Sequence, residues 1–178
     1  MTVALRTPRL LLREWRDEDI DPFFAQLANA EVTALLPPLP DREACAAWIG
    51  RMRAHNERHG FAYWAVELPG KAPLIGAIGL TRVDFADAFG EAVEIGWRLA
   101  LPYWGKGYAT EAARAAIDDG FYRFGIDEIV AFTVPMNQRS QAVMRRLGMT
   151  RDPADDFDFH RFPEGHPLRR HVLYRLCR

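Results

Sequence analysis

Apolar residues alternate along this chain between short runs and helix-like stripes. Six runs predict strands, since each is short, apolar and bounded by turn-forming residues. They lie at residues 10–14, 62–67, 74–81, 92–99, 128–134 and 171–176. The run at 74–81, LIGAIGLT, has no polar residue before its last position, which is typical of a strand buried on both faces.

Four stripes predict helices, and their start and stop residues are readable in the sequence. Residues 22–28 form the first, with Asp21 as its predicted cap, and residues 42–59 form the second, capped by Asp41. The third covers residues 109–124. The fourth is capped by Asn137, runs to Leu147 and is closed by Gly148. The proline-rich stretch at 36–40 and the turns at 69–70 and 86–90 separate elements.

The order of these elements predicts a mixed sheet in a single domain over residues 1–178. Three consecutive central strands can form an antiparallel meander, whereas the following strand–helix–strand unit requires a parallel crossover. The fold class is therefore α/β in the loose sense, or mixed α+β. Residues 150–170 are left as a long aromatic and charged loop, and such a loop in a compact domain is more often functional than idle.

Charge and composition narrow the function without identifying it. The 178 residues carry 23 Lys+Arg and 24 Asp+Glu, so a net charge of -1 argues against nucleic acid or an anionic membrane as partner. Cys45 and Cys177 share no metal-type spacing and suggest no disulfide framework. Without a signal-like or membrane-spanning apolar run, we expect a cytoplasmic protein.

A phosphate-binding turn is the most informative feature of the chain. In EIGWRLALPYWGKGYATEA, residues 94–112, a strand leads through Gly105, Lys106 and Gly107 into a helix. Such a turn lets backbone N–H groups approach an anion at a positive helix end. The dinucleotide fingerprint fails because Thr110 occupies its third glycine position, and no P-loop sequence is present. A plain glycine-rich turn remains the alternative.

The same segment resembles the acetyl-CoA motif of the GNAT superfamily, [R/Q]-x-x-G-x-[G/A]. Its register here is Trp104 to Ala109, with Trp104 departing from the usual first residue. LIGAIGL upstream and NQRSQAVMRRLGM downstream are similar to the branch that acetylates ribosomal-protein N-termini (RimJ/RimL-like), and the resemblance covers residues 9–175. It implies a mostly antiparallel sheet of about seven strands, splayed open at the acyl-CoA site and flanked by about four helices.

The resemblance also implies the cofactor-binding residues. Acetyl-CoA, the acyl-donor cosubstrate, would lie in the split of the sheet, and no metal is expected. The implied binding residues are Trp97, Arg98 and Leu99 on the strand edge, Trp104, Gly105, Lys106, Gly107, Tyr108, Ala109 and Thr110 in the turn, and Asn137 at the next helix.

Attack of an amine on a thioester requires a base, oxyanion donors and a proton for the leaving thiolate. By resemblance Glu94 is the base, with Glu91 as a weaker rival, although a solvent-facing strand carboxylate is the alternative. Ser140 is the implied acid, because Met144 stands where many relatives carry tyrosine. For Asn137 a purely capping role is the alternative.

The long loop adds candidates for the acceptor side. Asp155, Asp156, Asp158, Phe157 and Phe159 could form an acidic, aromatic rim that attracts a cationic amine, and an ordinary solvated loop is the alternative. His160, His166 and His171 are too loosely spaced for a zinc site but could line the acceptor pocket.

Three functions remain open from the sequence. The first is an N-acetyltransferase acting by direct attack in a ternary complex on a protein N-terminus or a small-molecule amine. The others are a non-catalytic acyl-CoA-binding regulatory module and a nucleotide-dependent oxidoreductase. A homodimer is plausible by resemblance.

Overall fold

One sheet runs through the residues that the computed structural model describes, 3–37, 39–85 and 88–178. Pro38 in the predicted break, and Ala86 and Asp87 in a predicted turn, lie outside these residues. The strands are β1 (Val3–Arg6), β2 (Leu11–Arg13), β3 (Tyr63–Leu68), β4 (Ala72–Phe85), β5 (Gly90–Leu99), β6 (Glu128–Thr133), β7 (Phe157–Asp158) and β8 (Arg170–Cys177). Their order is β1-β2-β3-β4-β5-β6-β8-β7, and only the β5–β6 pair is parallel. The predicted mixed, mostly antiparallel sheet is confirmed.

Five helices flank the sheet within the described residues. They are α1 (Ile20–Leu27), α2 (Ala30–Thr33), α3 (Arg42–His59), α4 (Tyr108–Tyr122) and α5 (Gln138–Arg146). The predicted caps of α3 and α5 are confirmed, since Asp41 accepts a hydrogen bond from the Ala44 N–H and Asn137 accepts one from the Ser140 N–H. Asp21 as a cap is wrong: α1 begins one residue earlier, and Asp21 pairs with Arg42 instead.

The two faces of the sheet bury different partners, because side chains alternate between faces along each strand. One face packs against α4 and α5 through an apolar cluster that includes Ile95, Ile117 and Met144. On the other face, α1 and α3 cover one part of the sheet, and the segment 157–162 covers another with buried phenylalanines. In the described part of the chain, no helix is long and apolar enough to cross a membrane.

The sheet opens between its two parallel strands. β4 and β5 pair continuously from Phe85–Gly90 to Gly76–Leu99, whereas β5 and β6 pair only at Val93–Ile129 and Glu94–Val130. Beyond Glu94, β5 therefore has a free edge on this side. This confirms the predicted splay and creates the cleft described next.

Candidate active site

A cleft of about 1360 Å³ occupies the opening of the sheet. It is bordered by β5, the turn after it, the first turn of α4 and the first turns of α5, with α2 and the residues after it forming a further wall. Ten of the predicted site residues line it: Trp97, Leu99, Trp104, Gly105, Gly107, Tyr108, Ala109, Thr110, Asn137 and Ser140. The structure thus brings predicted residues from three separate elements together around one cleft.

The turn before α4 has the geometry of an anion site. Gly105 and Gly107 adopt φ values of 72° and 79°, a left-handed conformation that other residues rarely take. Gly107 is the N-cap of α4, and the first helical hydrogen bond runs from the Glu111 N–H to its carbonyl. The N–H groups of the three residues before Glu111 therefore have no partner within the helix and form the positive end of its dipole.

Contacts from distant parts of the chain hold this turn in place. The indole Nε1 of Trp104 donates to the Leu99 carbonyl at 2.7 Å, which ties the turn to the end of β5. Arg9 donates to the Lys106 carbonyl at 3.0 Å and pairs with Glu111 at 2.6 Å. Sequence reasoning missed Arg9, since nothing in the sequence indicates that it meets a turn about a hundred residues later.

Arg98 and Lys106 do not reach the cleft with their side chains. The backbone of Arg98 faces β4, because its carbonyl oxygen lies against Gly76, and backbone directions alternate along a strand. Only its neighbours Trp97 and Leu99 turn their backbone groups to the free edge, so Arg98 is not positioned as predicted.

The Lys106 side chain is exposed, with its ammonium 5.8 Å from the Tyr103 ring. Arg139 and Arg146, which the sequence did not single out, line the cleft instead.

A hydrogen bond spans the cleft from β5 to α5. The Trp97 indole Nε1 donates to the Ser140 hydroxyl oxygen at 3.3 Å. The Ser140 hydroxyl thus receives one hydrogen bond and can direct its own proton into the cleft. Asn137 accepts from the Ser140 N–H and donates to Thr133 at 3.0 Å. Met144 is buried in the core on the α4 side, so it packs rather than reacts.

Glu94 lies on the other face of β5, at the last residue pair before the opening. Its side chain is partly buried and accepts a hydrogen bond of 3.4 Å from the Tyr63 hydroxyl. Burial raises the pKa of Glu94 to about 7, against smaller lowering effects of the Tyr63 hydrogen bond and the positive charge of Arg161. The Tyr63 hydroxyl sits over Gly96, where a Cβ atom would be 1.6 Å from it, so only glycine fits here.

Glu94 and Ser140 are therefore not neighbours but flank the opening from opposite faces of β5. A reacting group at the free edge of the strand would be reachable from both. The rival Glu91 is exposed and pairs in register with Asp84 next to the turn, away from the opening.

The prediction of an acidic, aromatic rim at residues 155–159 is wrong. Each acidic side chain pairs with arginine: Asp155 with Arg175, Asp156 with Arg151, and Asp158 with Arg169 and Arg170. Phe157 and Phe159 are buried against Phe85.

The three histidines of this region lie against the same rings. His160 packs on Phe85, His166 stacks on Phe162 and His171 is buried beside Phe159. No group of three His, Cys, Asp or Glu suited to a metal ion occurs in the described ranges.

Comparison with known proteins agrees with this geometry. Residues 9–150 match the family described as Acetyltransferase (GNAT) domain. An N-acetyltransferase of Bacillus subtilis (strain 168), YnaD, is 31% identical over 83% of this chain and 83% of its own length. The ribosomal protein uS5-alanine N-acetyltransferase of Escherichia coli (strain K12) is 29% identical over 84% of this chain and 79% of its own.

A solved structure extends the likeness to the fold. The ribosomal-protein α-N-acetyltransferase RimL, in complex with coenzyme A, superimposes with a TM-score of 0.79 at 15% identity. The match covers 99% of this chain and 98% of that chain.

Proposed function

Because the chain belongs to the GNAT acetyltransferase family, it is an acetyl-CoA-dependent N-acetyltransferase, and we propose that Glu94 and the cleft residues transfer the acetyl group directly to a primary amine. The observation that carries this assignment is the pairing of two features at one opening. An anion-binding helix end lies on one side of β5, and a carboxylate with a pKa of about 7 lies on the other.

The donor side follows from the free backbone groups. We assign the pyrophosphate of acetyl-CoA to the N–H groups at the start of α4, where the helix dipole favours negative charge. The pantetheine would pair with the free edge of β5 at Trp97 and Leu99, with Asn137 opposite. Arg139 and Arg146 supply positive charge to the same cleft.

The chemistry then needs no covalent enzyme intermediate. Glu94, directly or through water, accepts a proton from the acceptor ammonium, and the neutral nitrogen attacks the thioester carbonyl carbon. The tetrahedral intermediate expels the thiolate as the C–S bond breaks, and the Ser140 hydroxyl donates the proton that forms free CoA thiol. Ser140 regains a proton, directly or through water, from the attacking nitrogen, which leaves the neutral amide. Cys45 is buried and Cys177 lies in β8, which disfavours a thiol relay.

We assign a primary amine as the class of acceptor, and we place the reaction in the cytoplasm. An α-amine is about 10% neutral at pH 7, whereas a lysine amine is roughly 0.04% neutral, so an α-amine requires less from the base. The similar uS5-alanine enzyme makes a protein N-terminus one candidate, and a small amine is the other. A homodimer is part of the proposal, testable by light scattering after size exclusion.

The experiment is free-thiol release from acetyl-CoA by the purified protein across a panel of amines and N-terminal peptides, beside CoA-binding calorimetry. Acceptor-dependent release supports the proposal and identifies the amine class. CoA binding without turnover on any amine would favour the regulatory-module alternative. No CoA binding would overturn the assignment of the cleft.

A further inference from the structure

Arg98 carries a buried donor without a partner. Among the residues that the structure describes, its Nη1 is the one buried side-chain nitrogen or oxygen atom that lacks a hydrogen-bond partner. Leaving a buried charged donor unpaired is costly, so native proteins rarely keep such a group without a use.

Arg13 is a buried arginine of this protein that stabilises the fold, and it provides a comparison for Arg98. Its side chain is fully buried, and it pairs with both carboxylate oxygens of Asp19 at 2.7 and 2.8 Å. It also contacts Glu67 at 3.1 Å and the Pro73 carbonyl at 2.7 Å. Every direction of that guanidinium is occupied by an acceptor, in contrast to Arg98.

The groups facing Arg98 do not neutralise it. The Tyr63 phenol and the Cys45 thiol act on it electrostatically, and burial raises the pKa of both groups, so both are neutral at pH 7. No carboxylate of the described residues forms an ion pair with Arg98. Burial also lowers the pKa of the guanidinium itself, yet arginine stays charged at neutral pH.

Arg98 shares its face of β5 with Glu94. The two residues are four positions apart, about 13 Å along an extended strand, with Gly96 and the Tyr63 hydroxyl between them. Tyr63 interacts with both side chains. Arg161 adds a second positive charge near Glu94, while the nearby loop acids are already paired.

We propose that Arg98 binds the carboxylate of the acceptor, which makes the acceptor a small aminocarboxylate whose amine lies toward Glu94. This inference rests on the proposed function for the reaction itself. A guanidinium is the side chain best suited to grip a carboxylate with two parallel hydrogen bonds. Polyamines and simple alkylamines lack the anion that would satisfy Arg98.

The test uses matched acceptors that differ only at the carboxylate. The α-amino acids, β-alanine and 4-aminobutyrate are compared with their carboxamides in acetyl-CoA turnover. For at least one acid, wild type should prefer it at least tenfold in kcat/KM, and Arg98→Met should collapse that preference through a higher KM. Arg98→Lys, which keeps the charge, should restore part of it. Equal rates for acids and amides would overturn the proposal.

A binding measurement separates this inference from the proposed function. With CoA present, calorimetry compares the N-acetylated acids with the corresponding N-acetylated amides, on wild type and Arg98→Met. Selective binding of the acids that is lost in the variant supports Arg98 even if no amine turns over. Amine turnover without any such selectivity would leave the acetyltransferase intact and remove the role of Arg98.

Thermal stability tests whether Arg98 has a merely structural role. Because Arg98 has no partner to lose, Arg98→Met should melt at or above the wild-type Tm. Arg13→Met should instead lower the Tm by roughly 10 °C, since it leaves Asp19 buried without its partner. A comparable loss of Tm in Arg98→Met would indicate that Arg98 supports the fold and would contradict the proposal.

Discussion

At the scale of single residues, the opposed influences on Glu94 set its use as a base. A general base works best when its pKa lies near the working pH, because it is then both unprotonated and willing to accept a proton. Burial at the opening of the sheet raises the pKa of Glu94 to about 7, while Tyr63 and Arg161 keep it from rising further. The position of Glu94 beside the opening of the sheet therefore gives its carboxylate the pKa that a general base needs.

We predict that kcat/KM rises with pH through about 7, as Glu94 loses its proton. Glu94→Gln should lower kcat/KM at pH 8 about 100-fold and remove this limb of the profile. The acceptor amine titrates as well, so profiles are recorded with amines of different pKa, and only the enzyme limb should stay at about 7. Glu91→Gln is the control and should keep the limb. A limb that persists in Glu94→Gln would point to another base.

Stability gives the same variant a second readout. The folded pKa of Glu94 lies above its ordinary value of 4.5, so the folded protein holds this proton more tightly than the unfolded chain. Ionisation of Glu94 then destabilises the fold as pH rises from about 4.5 to 7. Glu94→Gln should gain under about 1 kcal/mol at pH 5 and about 3 kcal/mol at pH 8 in urea unfolding. An equal gain at both pH values would contradict the pKa shift.

At the scale of elements, the sequence predicted those helices and strands that are long enough to repeat an apolar pattern. Strands β3 to β6 and β8 and helices α3 to α5 were predicted because their apolar patterns extend over six or more residues, and α3 and α5 also begin at recognisable caps. β1, α2 and β7 have only two to four residues, too few to display a period. Asp21 misled because a 3-10 turn at Asp17–Asp19 runs directly into α1 and leaves no separate capping position.

The residues of the candidate site also divide into those that a local sequence motif indicates and those that it does not. The glycine turn, Glu94, Asn137 and Ser140 lie in local motifs, so the sequence could indicate them. Tyr63, Arg9 and Arg161 reach the site from other parts of the chain, and no local pattern records those contacts. The negative charges of residues 155–158 were visible in the sequence, but the arginines that pair with them were not, so the expected acidic rim is absent from this part of the described structure.

Arg9 is the element-scale device that can be tested directly. It holds the turn before α4 through the Lys106 carbonyl and Glu111, so its loss should loosen a turn that must be ordered to bind phosphate. For Arg9→Gln we predict a KM for acetyl-CoA raised roughly fivefold, or about 1 kcal/mol, as expected for a half-exposed ion pair, with kcat little changed. Arg51→Gln, an exposed change on α3, is the control. An unchanged KM would show that the turn needs no such support.

At the scale of the whole molecule, the opening of the sheet separates two parts along one edge, although both parts contribute to the same apolar core. β1 to β5 with α4 form one part, and β6 and β8 with α5 form the other. The two strands at the junction pair at only two positions, and the Trp97–Ser140 hydrogen bond bridges the cleft beyond them. A ligand in the cleft contacts both parts, so its binding energy also strengthens their junction.

Hydrogen exchange should reveal this coupling. With CoA at about 100 times its Kd, binding stabilises the native state by about 2.7 kcal/mol, and exchange should slow at residues 104–111 and also at residues 137–146, on opposite sides of the cleft. The exposed side of α3, which does not line the cleft, should show only the small protection that global stabilisation confers. Protection confined to residues 104–111 would mean that the cofactor is held by the phosphate turn alone, and that the splay of the sheet is not the binding site.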